Sequence, residues 1–242
     1  MVNVFMRILA IDTSTMFGSV ALCEDGRLIA EEQLGVDVTH SERLTATIEH
    51  LFAVSGWPKD SIDGIAVAIG PGSFTGLRIG LATAKGLALG LKKPIAGVSS
   101  LRVLAHKGFL FPETVVPVID AKRGEVYCSA YRFNGEKIKC VMKETVLDPK
   151  LLGLRLKKIR GKLLLVGDGV VTYEKLFKRM LGAKAVIPNF DLPFPHASHL
   201  AMIARDHLRR QGDDLVKLVP NYLRHSDAEI GFRGREAERL RS

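Results

Sequence analysis

"RILAIDTSTMFGSVALCEDGRLIAEEQ" (7–33) and "VVPVIDAKRGEVYCSAYRFNGEKIKCVMKE" (115–144) decide how this chain folds. The first opens with an apolar run that ends at Asp12, turns tightly, starts a second strand at Gly18, and enters a third through Asp25-Gly26. The second stretch repeats that order: Asp120 follows Asp12 by 108 positions, and Asn134-Gly135 follows Asp25-Gly26 by 109. Asp-Gly and Asn-Gly both supply the positive φ angles that two-residue hairpin loops require. Each half therefore sets its own hairpin register.

The echo extends further. "IAVAIGPGS" (65–73) and "LLLVGDGV" (163–170) are each a continuous apolar strand running into G-x-G. Continuous rather than alternating apolarity marks a strand covered on both faces. Each half reads strand, strand, strand, helix, strand, helix. This predicts an α/β fold of two duplicated lobes, 1–105 and 106–224, each a mixed five-stranded sheet flanked by helices. A tail of alternating charge, 225–242, is either disordered or folds on a partner. Thr39 and Glu42 form a capping box for a helix to about Ser55, with Leu44, Ile48, Leu51 and Phe52 on one face. Ser73 caps a second helix to about Leu91, and 196–212 gives a third that Gly212 closes. Two such lobes describe the architecture of the actin-like ATPase (ASKHA) superfamily, whose nucleotide site lies between them.

Composition narrows the class. The 242 residues are 47% hydrophobic and 25% charged, as in an ordinary globular protein. Three cysteines, Cys23, Cys128 and Cys140, match no C-x-x-C spacing, which argues against a disulfide framework or cysteine-ligated zinc. Arg7 interrupts the N-terminal apolar run before a signal core forms, and no stretch reaches the roughly 18 apolar residues of a membrane span. A cytoplasmic location is expected. The net charge of +9 includes a basic run at 150–162 that fits either RNA phosphates or a solvated helix face.

"IGPGSFTGLRIG" (69–80) allows two readings. Asp12, Thr13, Ser14, Gly70, Gly72 and Ser73 could cradle phosphate at a helix N-terminus, although neither Walker A nor G-x-G-x-x-G spacing is met. Alternatively Gly72, Gly76, Gly80 and Ala84 recur every four residues and form a stripe almost free of side chains. Such a stripe costs helix propensity and so requires something packed against it, either the lobe's own sheet or another subunit.

Other chemistry is sparse. H-E-x-x-H and G-x-S-x-G are absent. His196 and His199 stand three apart, but with no third ligand evident they are read as helix-capping or surface residues, and no metal is expected. Asp12 and Asp120 fit either general bases or turn formers.

The chain resembles the TsaB (YeaZ) family in "ILAIDTS", "THSERL" (39–44), "IGPGSFTGLRIG", "VIDAKRGEVY" (118–127) and "PNYLR" (220–224). The resemblance implies a non-catalytic subunit that works with TsaD and TsaE to attach threonylcarbamoyl to the adenosine beside the anticodon of tRNAs reading ANN codons. TsaD carries an H-x-x-x-H metal motif to which this chain has no counterpart, and the resemblance implies self-association when TsaD is absent. The resemblance implies pairing through the first two helices, with His40, Glu42, Arg43, Leu44, Gly76, Arg78, Gly80 and Ala84 as contacts and Leu77 and Leu81 as apolar anchors. tRNA would be met through the complex, and no cofactor is required, with room left for weak ATP or ADP binding. The competing expectation is an independent actin-like ATPase or phosphotransferase acting through Asp12.

Overall fold

The structure, a computed structural model, describes residues 5–35, 40–135, 137–188 and 194–224. Strands β1 (Arg7–Asp12), β2 (Phe17–Glu24) and β3 (Arg27–Gly35) form an antiparallel meander. Asp25 and Gly26 turn the β2–β3 hairpin with φ of 51° and 85°. Strands β4 (Gly64–Gly70) and β5 (Ile95–Ser99) add in parallel on the other side of β1, giving the order β3-β2-β1-β4-β5.

Alternation along β1 and β4 sorts side chains to two faces. Leu9, Ile11, Ile65 and Val67 pack under helices α1 (His40–Ser55) and α2 (Phe74–Leu91), with Leu44, Ile48, Leu51 and Phe52 of α1 buried there as expected. Helix α2 starts where the sequence places it, Ser73 Oγ accepting from Gly76 N at 3.2 Å. Thr39, the expected cap of α1, lies outside the described residues.

The second sheet repeats the plan. Strands β6 (Thr114–Lys122), β7 (Glu125–Asn134), β8 (Lys137–Leu147), β9 (Leu163–Val166) and the short β10 (Ala185–Val186) take the order β10-β9-β6-β7-β8. Helices α4 (Pro149–Lys157), α5 (Asp168–Thr172) and α6 (Glu174–Leu181) cover one face, burying Leu152, Leu156 and Phe177. Asp148 caps α4 by accepting from the N–H groups of Lys150 and Leu151, with Pro149 in the first turn. The duplicated α/β architecture expected from the hairpins, two mixed five-stranded sheets flanked by helices, is the one observed.

The lobe boundaries differ from expectation. Helix α3 (Ser100–Ala105) sits between the sheets, sending Val103 toward the first and Leu101, Leu104 and Ala105 toward the second. Helix α7 (Ala197–Arg210), expected to end the second lobe, covers the free face of the first sheet instead. The cause is the size of the side chains there: Ala10, Ala21, Ala66, Ala68 and Ala96 meet Ala197, Ala201 and Ala204, so helix and sheet approach closely. The chain stays on the first lobe beyond α7, where Asp213 N bonds Ile95 O, Asn221 N bonds Ile69 O (both 2.7 Å) and Leu218 joins the core. The second lobe thus does not run to 224. Residues 225–242 lie outside the described residues.

Candidate functional site

The turn after β1 is closed rather than open to a ligand. Asp12 is 1% exposed, and its Oδ1 accepts from Ser14 N at 2.8 Å and Ser14 Oγ at 2.6 Å. Its Oδ2 is buried without a partner, and burial raises the carboxyl above the usual range despite the Ser14 bonds. Thr13 Oγ1 donates to Gly76 O at 2.7 Å, and Ser73 N donates to Ser14 O at 2.7 Å.

These bonds explain the glycine stripe. A Cβ at Gly72 would run into the Ser14 carbonyl, one at Gly76 into the Thr13 carbonyl, and one at Gly80 into the Thr13 hydroxyl. The stripe is filled by the chain's own β1–β2 turn. The expectation that it lies open as a groove for a sister subunit is therefore corrected: Gly76, Leu77, Gly80, Leu81 and Ala84 are buried within their lobe, as is Leu44. The candidate phosphate residues Asp12, Thr13, Ser14, Gly70, Gly72 and Ser73 do converge, but Thr13 and Ser14 are 3% and 0% exposed, the Thr13 hydroxyl being taken up by Gly76 O and the Ser14 hydroxyl by Asp12. Gly70 approaches the backbone of the C-terminal segment, a Cβ there standing 3.0 Å from Asn221 O.

On the second lobe, Asp120 Oδ2 pairs with Lys122 Nζ at 3.0 Å, and its backbone N–H donates to Asp168 Oδ1 at 3.0 Å. Both turn aspartates are thus engaged in holding their own loops. Between the lobes, Glu144 accepts from Ser99 Oγ, from Tyr131 OH at 2.9 Å and from Asn221 Nδ2 at 3.3 Å. Arg224 pairs with Glu125 at 3.0 Å. The segment 220–224, noted only as a motif in the sequence, is thus a strap joining the lobes.

Arg78 finds its partners within the chain. Its guanidinium lies 3.9 Å over the Phe74 ring, Nε donates to Tyr222 OH at 3.1 Å, and Tyr222 stacks on Phe74 at 4.9 Å. Arg43 is exposed on α1. His40 and Glu42 belong to α1 by backbone, while their side chains lie outside what is described.

His196 occupies the N-cap position of α7, its carbonyl accepting from Leu200 N at 3.3 Å, but its side chain makes no capping bond; contrary to expectation, neither it nor His199 lies on the open surface. His196 bonds Gln33 at 2.9 Å and stands 3.5 Å from Glu31, whose carboxyl is also held by Ser19 and Ser198. Burial pushes Glu31 up, but the bonds from His196 and Ser198 outweigh it and hold it at about 2. His199 packs 5.6 Å from His106, and burial lowers both imidazoles to about 4. Among the described residues, no group of three or more His, Cys, Asp or Glu side chains is set to hold a metal. Nor is any described helix long and apolar enough to cross a membrane.

What remains open on the first two helices is their outward face. Ala46, Ala53 and Val54 of α1 and Ala82, Gly86, Leu89 and Gly90 of α2 are exposed, Val54 by 60% and Leu89 by 69%. Nothing lies within 4 Å of where a Cβ would stand at Gly86 or Gly90. Sequence reasoning missed these residues, although Ala82, Gly86 and Gly90 repeat the four-residue spacing of the buried stripe half a helical turn away.

Comparison with known proteins fits this geometry. The family model "TsaD: tRNA N6-adenosine threonylcarbamoyltransferase" matches residues 36–232. The Bacillus subtilis tRNA threonylcarbamoyladenosine biosynthesis protein TsaB is 35% identical over 225 residues, covering 93% of this chain and 96% of that protein. The chain belongs to the TsaB family. YeaZ from Pseudomonas aeruginosa superposes with a TM-score of 0.75 at 29% identity, over 90% of this chain and 100% of that one. Component A of the Acidaminococcus fermentans (R)-2-hydroxyglutaryl-CoA dehydratase superposes with a TM-score of 0.53 at 10% identity, covering 84% and 99%, and so shares the fold alone. The chain therefore shares that two-sheet fold, with the loops after β1 and β6 bonded to their own lobes.

Proposed function

We propose that this chain is a non-catalytic subunit in tRNA threonylcarbamoyladenosine biosynthesis, pairing with TsaD through the outward faces of α1 and α2 and working with TsaE. In the absence of TsaD the same face pairs two copies of the chain. The observation that carries this reading is an exposed apolar surface of small side chains on two adjoining helices, with Val54 and Leu89 projecting from it. Small residues let a partner helix come close, and projecting apolar side chains supply the buried area. The burial of Asp12 and the pairing of Asp120 with Lys122 support an accessory role over independent ATPase chemistry, because Asp12 is sealed from solvent and Asp120 already faces a lysine, so that neither presents a carboxylate to a nucleophile or a metal-bound water.

The test is coelution with TsaD. Gly86→Leu with Gly90→Leu should leave the melting temperature near that of the parent and abolish coelution. Retained pairing would sink the reading. A calorimetric titration with ATP, with and without TsaD, separates the alternative: micromolar binding by the chain alone that Asp12→Ala removes would favour a solitary ATPase.

A further inference from the structure

The positive charge of this chain is segregated. Residues 106–188 hold seventeen basic and eight acidic residues, whereas 1–105 hold nine and ten, so the second lobe accounts for the chain's excess of cations. The structure gathers much of that excess on one face. Gly153 lets α4 and α6 touch, since a Cβ there would stand 2.6 Å from Met180 Sδ. Arg155, Lys157, Lys158, Arg160, Lys175 and Arg179 are exposed on these helices and the loop after α4. Among the described residues none of the six forms an ion pair, whereas their neighbour Lys178 pairs with Glu174.

Two more cations are drawn to the same place. Lys184 Nζ donates to the carbonyl of Lys157 at 2.9 Å and to that of Ile159, and Arg132 Nη2 donates to Arg160 O at 3.2 Å. The Lys157 carbonyl belongs to the last turn of α4, so the negative end of the helix dipole accounts for the Lys184 contact there, whereas the Ile159 and Arg160 carbonyls lie beyond the helix and the six exposed cations have no ion-pair partner among the described residues. Exposed cations of one sign on adjoining elements create a positive potential that attracts a polyanion.

We propose that α4, α6 and the loop after α4 form a surface that binds the phosphate backbone of RNA. The fit is electrostatic and sequence-independent: the exposed positions of the two helices carry no aromatic ring on which a base could stack, and Phe177 is fully buried. A membrane surface fits less well. Leu151 and Leu154 are each about half exposed, but α4 has nine residues and lacks the aromatic and long apolar face with which interfacial helices insert. The choice of tRNA as a probe rests on the function proposed above, whereas the surface itself rests on charge placement.

The test uses the full chain. Anisotropy of a labelled tRNA transcript and of an unrelated RNA hairpin is measured from about 50 to 200 mM salt, with phosphatidylserine vesicles in a parallel arm. The expected result is binding of both RNAs that weakens steeply with salt. Arg155→Glu, Lys158→Glu and Arg179→Glu together should lower affinity by about tenfold or more and reduce the log–log salt slope by about 0.7–0.9 per lost contact. Lys92→Glu with Lys93→Glu on the first lobe should bind like the parent, and Lys158→Glu alone serves if the triple variant unfolds. Unchanged RNA binding in the second-lobe variants, equal weakening in the first-lobe variant, or vesicle binding in place of RNA binding would overturn the proposal. Coelution with TsaD is read on the same samples. RNA binding lost with pairing intact in the triple variant supports the surface, no RNA binding by the parent refutes the surface alone, and failure of the parent to pair refutes the function proposed above.

Discussion

Two kinds of glycine in one helix make the sharpest residue-level contrast. Gly76 is fixed by the Thr13 carbonyl, a backbone group that cannot step aside, whereas Gly86 faces open space. Gly76→Ala should cost about 2–3 kcal/mol through overpacking. Gly86→Ala should instead add up to about 1 kcal/mol, since alanine removes glycine's helix penalty without meeting a neighbour. Urea unfolding of the two variants reads both signs, and a stabilising Gly76→Ala would refute the packing described for the β1 turn. The histidines give a second prediction. Burial lowers His106 and His199 from an ordinary 6.5 to about 4, with Arg102 adding to the effect on His106 and His106 and His196 adding to that on His199. Between those limits the unfolded chain binds more protons than the folded one, so these groups make stability fall as pH drops from 6.5 toward 4. Asp12 and Asp168 are raised and contribute with the opposite sign, and Glu31, held at about 2, adds to the acid loss below its ordinary 4.5. The difference between the parent and His106→Gln/His199→Gln isolates the imidazoles: the double variant's unfolding midpoint should decline less over pH 6.5 to 4.

At the scale of elements, the strap 220–224 and strand β8 meet at one carboxylate. Glu144 is half-buried and accepts from three donors that come from α3's cap, β7 and the strap. Glu144→Ala leaves those donors unsatisfied in a partly dry junction and should cost about 1–3 kcal/mol, with Glu144→Gln recovering part of it. Thermal melting of both variants provides the check, and an Ala variant that melts like the parent would mean that the strap holds without it. Much at this scale was legible in the sequence. Asp25-Gly26 turns its hairpin through φ alone, Ser73 caps a helix through one local bond, and continuous apolar strands announce sheets covered on both faces, whereas the second hairpin turns one residue later than Asn134-Gly135, with Asn134 ending β7 opposite Lys137 and Gly135 alone of that pair at positive φ. These signals act within a few residues. Which surface the stripe Gly72-Gly76-Gly80 faces was not legible, because spacing fixes a face of a helix and not the neighbour that fills it. The strap was equally invisible, since its partners Ile69, Phe74, Glu125 and Glu144 lie far away along the chain.

For the whole molecule, the informative miss is α7. Its amphipathic pattern and its closing Gly212 were readable, but proximity in sequence assigned it to the second lobe. The side chains that receive it, Ala10, Ala21, Ala66, Ala68 and Ala96, come from four strands of the first sheet, and no local pattern connects them to residue 197. Each sheet needs cover on two faces, and the first lobe places both of its long helices on one. The opposite face stays apolar until the chain returns to it at its far end, so the first lobe is complete only when residues from both ends of the chain are present. This has a measurable consequence for cooperativity. Segments that share a core open together, so in native-state hydrogen exchange the amides of α7 should have the same opening free energy as those of β1 and β4. They should respond together with β1 and β4 to added urea, while α6 and β9 follow the second sheet. Leu200→Ala, which removes a fully buried side chain from this junction, should raise exchange across α7, β1 and β4 and leave β6, β7 and β9 nearly unchanged. Exchange of α7 in step with α6 and β9 would mean that sequence proximity, not the alanine-lined face, decides which lobe it stabilises.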